Sequence, residues 1–83
     1  MTKDDIFREL KSSLIELFEV PASSITLDAR LSDDLDLDSI DAVDMILRMQ
    51  EVTKVRIDPQ TFKSVRTVGD VVERVHEMLG QNA

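Results

Sequence analysis

Apolar residues recur at helical spacing in three separate segments, and this pattern constrains the fold more than any other feature of the sequence. In the first segment, four of them recur every four positions: Ile6, Leu10, Leu14 and Phe18. That spacing places them on one face of an α-helix. Pro21 follows and cannot continue the backbone hydrogen bonding of a helix. We therefore predict a first helix over residues 3–19.

The other two segments show the same periodicity. In the second segment the apolar residues form two rows, Ile40, Val43 and Leu47 in one and Ala42, Met45, Ile46 and Met49 in the other. We predict a helix over residues 39–52, covered on more than one side. A valine-rich stripe predicts the last helix over residues 68–79, which Gly80 ends.

Two connections complete the predicted architecture. Asp58 followed by Pro59 is typical of a helix start and predicts a short helix over residues 59–64. Residues 20–38 carry turn-forming residues and acids but also five large apolar side chains: Ile25, Leu27, Leu31, Leu35 and Leu37. We expect them to pin a long, functional loop across the core. The chain, residues 1–83, is then a single all-α domain, a small bundle of three main helices and one short helix.

Charge and composition exclude several classes of function. The formal net charge of −7 argues against nucleic-acid binding and against docking on an anionic membrane, and favours basic protein partners. The chain has no cysteine, so it forms no disulfide, no thiolate metal site and no thioester on its own side chains. No apolar run could span a bilayer. We expect a cytoplasmic monomer.

Ser39 is the candidate functional residue because of where it lies. Asp38 suits the N-cap of the second helix and Asp41 the third helical position, so Ser39 falls at the helix start. Unpaired backbone N–H groups and the positive end of the helix dipole tolerate an attached phosphate there. Serine is common at helix starts, however, and the position alone indicates no function.

The order of motifs resembles the acyl carrier protein family along nearly the whole chain. The matching phrases are Val20-Pro21, Leu31-Ser32-Asp33-Asp34-Leu35, Asp38-Ser39-Ile40-Asp41, Ile57-Asp58-Pro59 and Thr67-Val68-Gly69-Asp70. The resemblance implies that Ser39 receives 4′-phosphopantetheine from coenzyme A through a Mg²⁺-dependent phosphopantetheinyl transferase. The thiol of this arm would carry acyl groups in fatty-acid, specialised lipid or polyketide biosynthesis. The chain would then be a substrate of partner enzymes and no catalyst itself.

The same resemblance assigns roles to other residues of the second helix. It implies docking of acyl-transferring and acyl-modifying synthase enzymes, through their basic patches, at Asp38, Asp41, Asp44, Ile46 and Glu51. A merely solvated acidic face is the alternative. The candidates for an acyl pocket are Met45, Leu47, Met49 and Phe62. Methionine adapts to a cavity that fills and empties, and plain core packing is the alternative.

The sequence departs from the family at a few positions. Asp36 stands where the family has glycine, and aspartate adopts positive φ only at some cost, so we expect the loop before Ser39 to take a different path. Arg48 interrupts the acidity of the second helix, and further positive charges follow at Lys54, Arg56, Lys63 and Arg66. These changes suggest a specialised carrier with its own partners.

Three rival interpretations remain. Asp34, Asp36 and Asp38 have the spacing that opens a calcium-binding EF-hand loop, but Ser39 and Met45 replace its required glycine and glutamate, so we predict no metal site. A carrier for aminoacyl or peptidyl groups would share most of the features above. A plain acidic interaction module would explain the helices but not the leucine-rich loop.

Overall fold

The computed structural model describes residues 2–57, 60 and 64–81, without the side chain of Gln81. In these residues it has three α-helices, one 3₁₀ helix and no strand. The elements are α1 (Lys3–Phe18), the 3₁₀ helix (Ala22–Ser24), α2 (Ser39–Thr53) and α3 (Val68–Gln81). The all-α bundle with a long loop between its first two main helices is confirmed. Most of the predicted short helix over 59–64 lies outside the described residues.

The bounds of α1 follow from its caps. Thr2 Oγ1 accepts a hydrogen bond from the Asp5 backbone N–H at 3.2 Å, and the Asp5 carboxylate accepts one from the Thr2 N–H at 3.0 Å. At the other end Glu19 takes a left-handed conformation, with a φ angle of 55°, and its N–H donates to the Ile15 carbonyl. The helix therefore ends at Phe18, one residue earlier than predicted.

The core lies where α1 packs against both α2 and α3. Its helical members are Ile6, Leu10, Leu14, Met45, Ile46, Met49, Val68, Val71, Val72 and Val75. The loop between α1 and α2 adds Ile25, Ala29, Leu35 and Leu37, with Leu31 partly buried against them. The prediction that the loop is pinned by apolar side chains is thus confirmed for four of its five residues. It is wrong for Leu27, which is 53% exposed.

Leu27 contributes through its backbone, in an antiparallel contact between the loop and the start of α3. The Gly69 N–H donates to the Leu27 carbonyl at 2.9 Å, and the Val68 N–H to the Ala29 carbonyl at 3.0 Å. The Leu31 N–H donates to the Arg66 carbonyl at 2.9 Å. A Cβ atom at residue 69 would lie 3.0 Å from the Leu27 carbonyl oxygen, which is a tight contact, so glycine favours this close approach. We call this set of three hydrogen bonds the loop clamp.

Asp70 strengthens the loop clamp at the first turn of α3. Its carboxylate accepts hydrogen bonds from the backbone N–H groups of Arg66 at 3.1 Å and Thr67 at 3.2 Å. These bonds, first the one from Arg66 and then the one from Thr67, hold the pKa of Asp70 below its usual value. Folding therefore favours the ionised form of the Asp70 carboxylate.

None of the described helices is long and apolar enough to cross a bilayer.

Replacing Asp70 should change how stability depends on pH. Because folding lowers the pKa of Asp70, its contribution is present above the unfolded pKa of about 3.9 and is lost as pH falls through the folded value. Asp70→Asn should therefore be less stable than the parent at neutral pH, and the difference should shrink below about pH 4. Urea unfolding across this range measures it. The matched control is Asp28→Asn, at an exposed carboxylate that accepts no hydrogen bond from the described residues; an equal pH trend in both variants would contradict the assignment.

Candidate functional site

Ser39 is the first residue of α2, and its side chain is exposed. The preceding turn is fixed by a reciprocal pair of hydrogen bonds. The Asp41 N–H donates to Asp38 Oδ1 at 2.9 Å, and the Asp38 N–H donates to Asp41 Oδ2 at 3.2 Å. Both carboxylates therefore fix the start of the helix, and Ser39 beside them is exposed to water. This is the capping arrangement expected from the sequence.

The position of Ser39 suits the attachment of a phosphate group. The first backbone N–H groups of a helix have no partner within the helix, and the dipole of α2 places partial positive charge there. A phosphate ester at Ser39 would sit at this end of a 15-residue helix. The exposed hydroxyl is also open to an enzyme that modifies it. The donor groups and access that a phosphopantetheine arm requires are thus both present.

Asp36 adopts the conformation that glycine would supply in the approach to this helix. Its φ angle is 57°, in the left-handed region. Asp36 is exposed and lies between the buried Leu35 and Leu37. Aspartate is among the few non-glycine residues that visit this region. Aspartate at position 36 therefore adopts the backbone conformation that a glycine would take there. The structure gives no reason to expect a different path for the loop before Ser39.

A groove of about 630 Å³ opens beside Ser39. One wall is α2, and the other is formed by the loop and by the segment before α3. Its apolar lining consists of Leu31, Leu37, Ala42, Met45, Ile46 and Val65. Its polar lining consists of Arg30, Ser32, Asp33, Asp38, Ser39 and Arg66. An apolar chain attached near Ser39 could lie in this groove, sheltered from water along part of its length.

The predicted pocket residues do not all reach this groove. Met45 lines it, whereas Met49 is 1% exposed, lies in the core and is not among the lining residues. Leu47 is 48% exposed and does not line this groove, so its predicted contact with an acyl chain has no support from the geometry of the groove. Phe62 lies outside the described residues. The wall opposite α2 has no signal in the helical periodicity of the sequence, since Leu31 and Val65 belong to no helical repeat.

The outer face of α2 carries an exposed apolar stripe. It consists of Ile40, Val43 and Leu47, which are 71%, 41% and 48% exposed. Among the described residues, the row containing Met45 and Met49 is buried in the core and the row of this stripe is exposed, so the expectation that α2 is covered on more than one side is wrong. Asp44 and Glu51 are exposed at one helical turn from Leu47 and flank the stripe.

Two other residues of α2 turn away from this stripe. The Arg48 guanidinium pairs with Glu16 of α1 at 3.0 Å, so its charge is directed at the protein's own first helix. Ile46 is 3% exposed and lines the groove. Little of its surface could reach a partner that approaches the outer face, so the docking role predicted for Ile46 has no geometric support.

The carboxylates of the rival calcium site have other partners. Asp34 Oδ2 accepts hydrogen bonds from the Arg30 backbone N–H and guanidinium, and Asp38 caps α2. Within the described part of the chain, no three carboxylates or imidazoles are grouped as metal ligands would be. The one-three-five spacing of acids in this loop therefore serves the loop and the helix start.

Comparison with known proteins decides the family. Residues 8–75 match the family described as the phosphopantetheine attachment site. The chain is 47% identical over 79 residues to acyl carrier protein 2 of Ralstonia nicotianae, covering 95% of this chain and 98% of that protein. The chain belongs to the acyl carrier protein family. It is also 34% identical to the acyl carrier protein of Thermotoga maritima, over 95% of this chain and 98% of the relative.

Membership of the acyl carrier protein family confirms two of the expectations. The family recognised from the sequence is the one that the matches show. The cofactor of acyl carrier proteins is 4′-phosphopantetheine, and the matched region is its attachment site. Acyl carrier proteins are carriers and not catalysts, and the family implies encounters with a phosphopantetheinyl transferase and with synthase enzymes.

Glycine at position 36 should stabilise this acyl carrier protein. Asp36 already has φ 57, where glycine pays no steric cost. We expect Asp36→Gly to raise the free energy of unfolding by up to about 1 kcal/mol, measured in urea. Asp28→Gly is the matched control: Asp28 is exposed but has no positive φ, so glycine should lower the stability there. A loss of stability in Asp36→Gly would contradict the conformational assignment.

Proposed function

We propose that Ser39 is the attachment residue and that the protein shuttles acyl intermediates as thioesters on a 4′-phosphopantetheine arm. Fatty-acid, specialised lipid and polyketide biosynthesis are the pathways in which such a carrier serves. The observation that carries the proposal is the exposed hydroxyl at the start of α2, beside the mouth of an apolar groove. Ser32 also lines the groove but lies in the loop and begins none of the described helices.

Each part of the site has a task in this function. Ser39 supplies the hydroxyl that is esterified, and the partner transferase supplies the base that takes its proton. The start of α2, fixed by Asp38 and Asp41, favours the negative charge of the ester. When bound, the arm provides the thiol that the cysteine-free chain lacks.

The lining of the groove favours acyl over aminoacyl or peptidyl cargo. Leu31, Met45 and Ile46 present apolar side chains to it. Removing an acyl chain from water is favoured at roughly 25 cal/mol per Å² of apolar surface. An aminoacyl group would instead bring a charged amine, which the apolar part of the lining cannot solvate. Of the predicted pocket residues, Met45 is therefore the one that we retain for contact with cargo.

The outer face of α2 is the proposed docking surface for partner enzymes. The exposed stripe of Ile40, Val43 and Leu47 offers apolar contact area, and Asp44 and Glu51 beside it would attract basic patches. Asp38 and Asp41 extend the negative charge to Ser39, although their carboxylates also form the helix cap. We propose that the carrier meets these enzymes as a cytoplasmic monomer.

Removal of the Ser39 hydroxyl should abolish loading. After incubation with coenzyme A, Mg²⁺ and a broad-specificity phosphopantetheinyl transferase, intact-mass analysis should show one added arm on the parent protein. Ser39→Ala should gain none. Ser32→Ala is the matched control, since it removes a hydroxyl from the same groove, and it should be loaded like the parent. An arm on Ser39→Ala, or none on the parent beside a loaded control carrier, would refute the assignment.

Reversal of one charge on the docking surface should slow loading. Glu51→Lys should lower the transferase kcat/KM by roughly 3- to 10-fold at low salt, because electrostatic steering toward a basic partner is weakened. The deficit should narrow as salt is added. Glu9→Lys makes the same change at an exposed position of α1 and should have little effect. Equal deficits in the two variants would show that net charge alone matters and that α2 is not the docking face.

A further inference from the structure

Hydrogen bonds of its backbone carbonyl and N–H groups hold Arg66 at the groove. Its carbonyl accepts the hydrogen bond from the Leu31 N–H in the loop clamp, and its N–H donates to the Asp70 carboxylate. The residue lines the same groove as Ser39, on the wall that faces α2. The loop clamp thus fixes the point from which the Arg66 side chain extends.

The guanidinium of Arg66 is available to a ligand, unlike that of its neighbour. Arg30 lines the same groove, but it pairs with Asp34 at 3.3 Å and with Asp33 at 3.4 Å. Arg48 and Arg74 are likewise paired, with Glu16 and Glu77. Among the described residues no carboxylate lies within salt-bridge distance of Arg66, and its side chain is exposed. The groove therefore combines an apolar lining with one arginine, Arg66, that forms no salt bridge with a described carboxylate.

We propose that Arg66 binds an anionic group that the arm on Ser39 brings to the groove. The inference rests on the proposed function, because it requires an arm at Ser39. A planar guanidinium donates paired, charge-assisted hydrogen bonds to the oxygens of phosphate and carboxylate groups alike. Two sources offer this chemistry: the phosphodiester that joins the arm to Ser39, and a carboxylate at the end of a dicarboxylic acyl cargo.

Arg66 is thus a positioning residue for the arm or a specificity residue for its cargo. Bound to the phosphodiester, it draws the start of the arm toward the wall opposite α2, over Val65 and Leu31. Bound to a cargo carboxylate, it selects acyl groups that carry a second acid function. In both cases the contact replaces water around the guanidinium and orders its side chain.

Nuclear magnetic resonance of the arginine side chains tests the proposal. In ¹⁵N-labelled protein, the Nε–Hε signal of Arg66 is assigned by its loss in Arg66→Gln. Arg56, which is exposed and does not line the groove, is assigned with Arg56→Gln and serves as the control. Spectra are recorded for the unloaded protein and for protein loaded with the bare arm, an acetyl arm and a malonyl arm. Intact mass confirms loading of each sample.

The expected result is a shift of the Arg66 signal on loading, with no shift of Arg56. A shift already present with the bare arm, together with a displaced ³¹P signal in Arg66→Gln but not in Arg56→Gln, identifies the phosphodiester. A shift with the malonyl but not the acetyl arm identifies the carboxylate. About 1 M salt should reverse either shift, since screening then acts within a few ångströms.

The outcome that overturns the proposal differs from the one that overturns the proposed function. If all samples carry the arm and the Arg66 signal stays where it was in the unloaded protein, Arg66 binds no anion and the inference fails, while Ser39 remains the attachment residue. If the transferase adds no arm, the proposed function itself fails.

Discussion

The loop clamp between residues 27–31 and 66–69 is the interaction on which the functional part of the structure depends. It joins the middle of a long loop to the start of α3 through three backbone hydrogen bonds, and the absence of a side chain at Gly69 allows the approach. The wall of the groove opposite α2, including Leu31 and Arg66, is built on the residues so joined. Without this contact α2 would still be a helix with a serine at its start, but the serine would have no groove beside it.

The approach to Ser39 depends on a second constraint, which is the conformation of three consecutive residues. Leu35 and Leu37 are both buried, and the exposed Asp36 between them turns the chain through positive φ. The chain then reaches Asp38 in extended conformation, and the Asp38–Asp41 pair starts the helix. Burial of the two leucines thus anchors the segment that delivers the serine hydroxyl to water. Negative charge near the site is therefore in part a consequence of this local structure.

The sequence predicts much of this architecture because apolar residues at helical spacing mark where the helices lie. The bounds of α1, α2 and α3 lie within two residues of those expected. The position of Ser39 at the start of α2 follows from the capping residues Asp38 and Asp41. Periodicity cannot say whether an apolar row faces the core or a partner, which is why Ile40, Val43 and Leu47 were expected to be covered. It is also silent on the loop clamp, because that pairing joins segments far apart in sequence through backbone groups. The opposite wall of the groove could not be predicted for the same reason.

The positive charges of the described residues differ in what they contact. Arg48 is paired with Glu16 and Arg30 with Asp33 and Asp34, so neither offsets the acids that flank the apolar stripe of α2. The acids that flank the apolar stripe, Asp44 and Glu51, are therefore exposed, as the proposed docking surface requires. Arg66 differs, because the loop clamp fixes its backbone at the groove and no described carboxylate holds its guanidinium. Arg66 is therefore placed to meet what an arm on Ser39 would bring to the groove, whereas Arg30 and Arg48 are already paired.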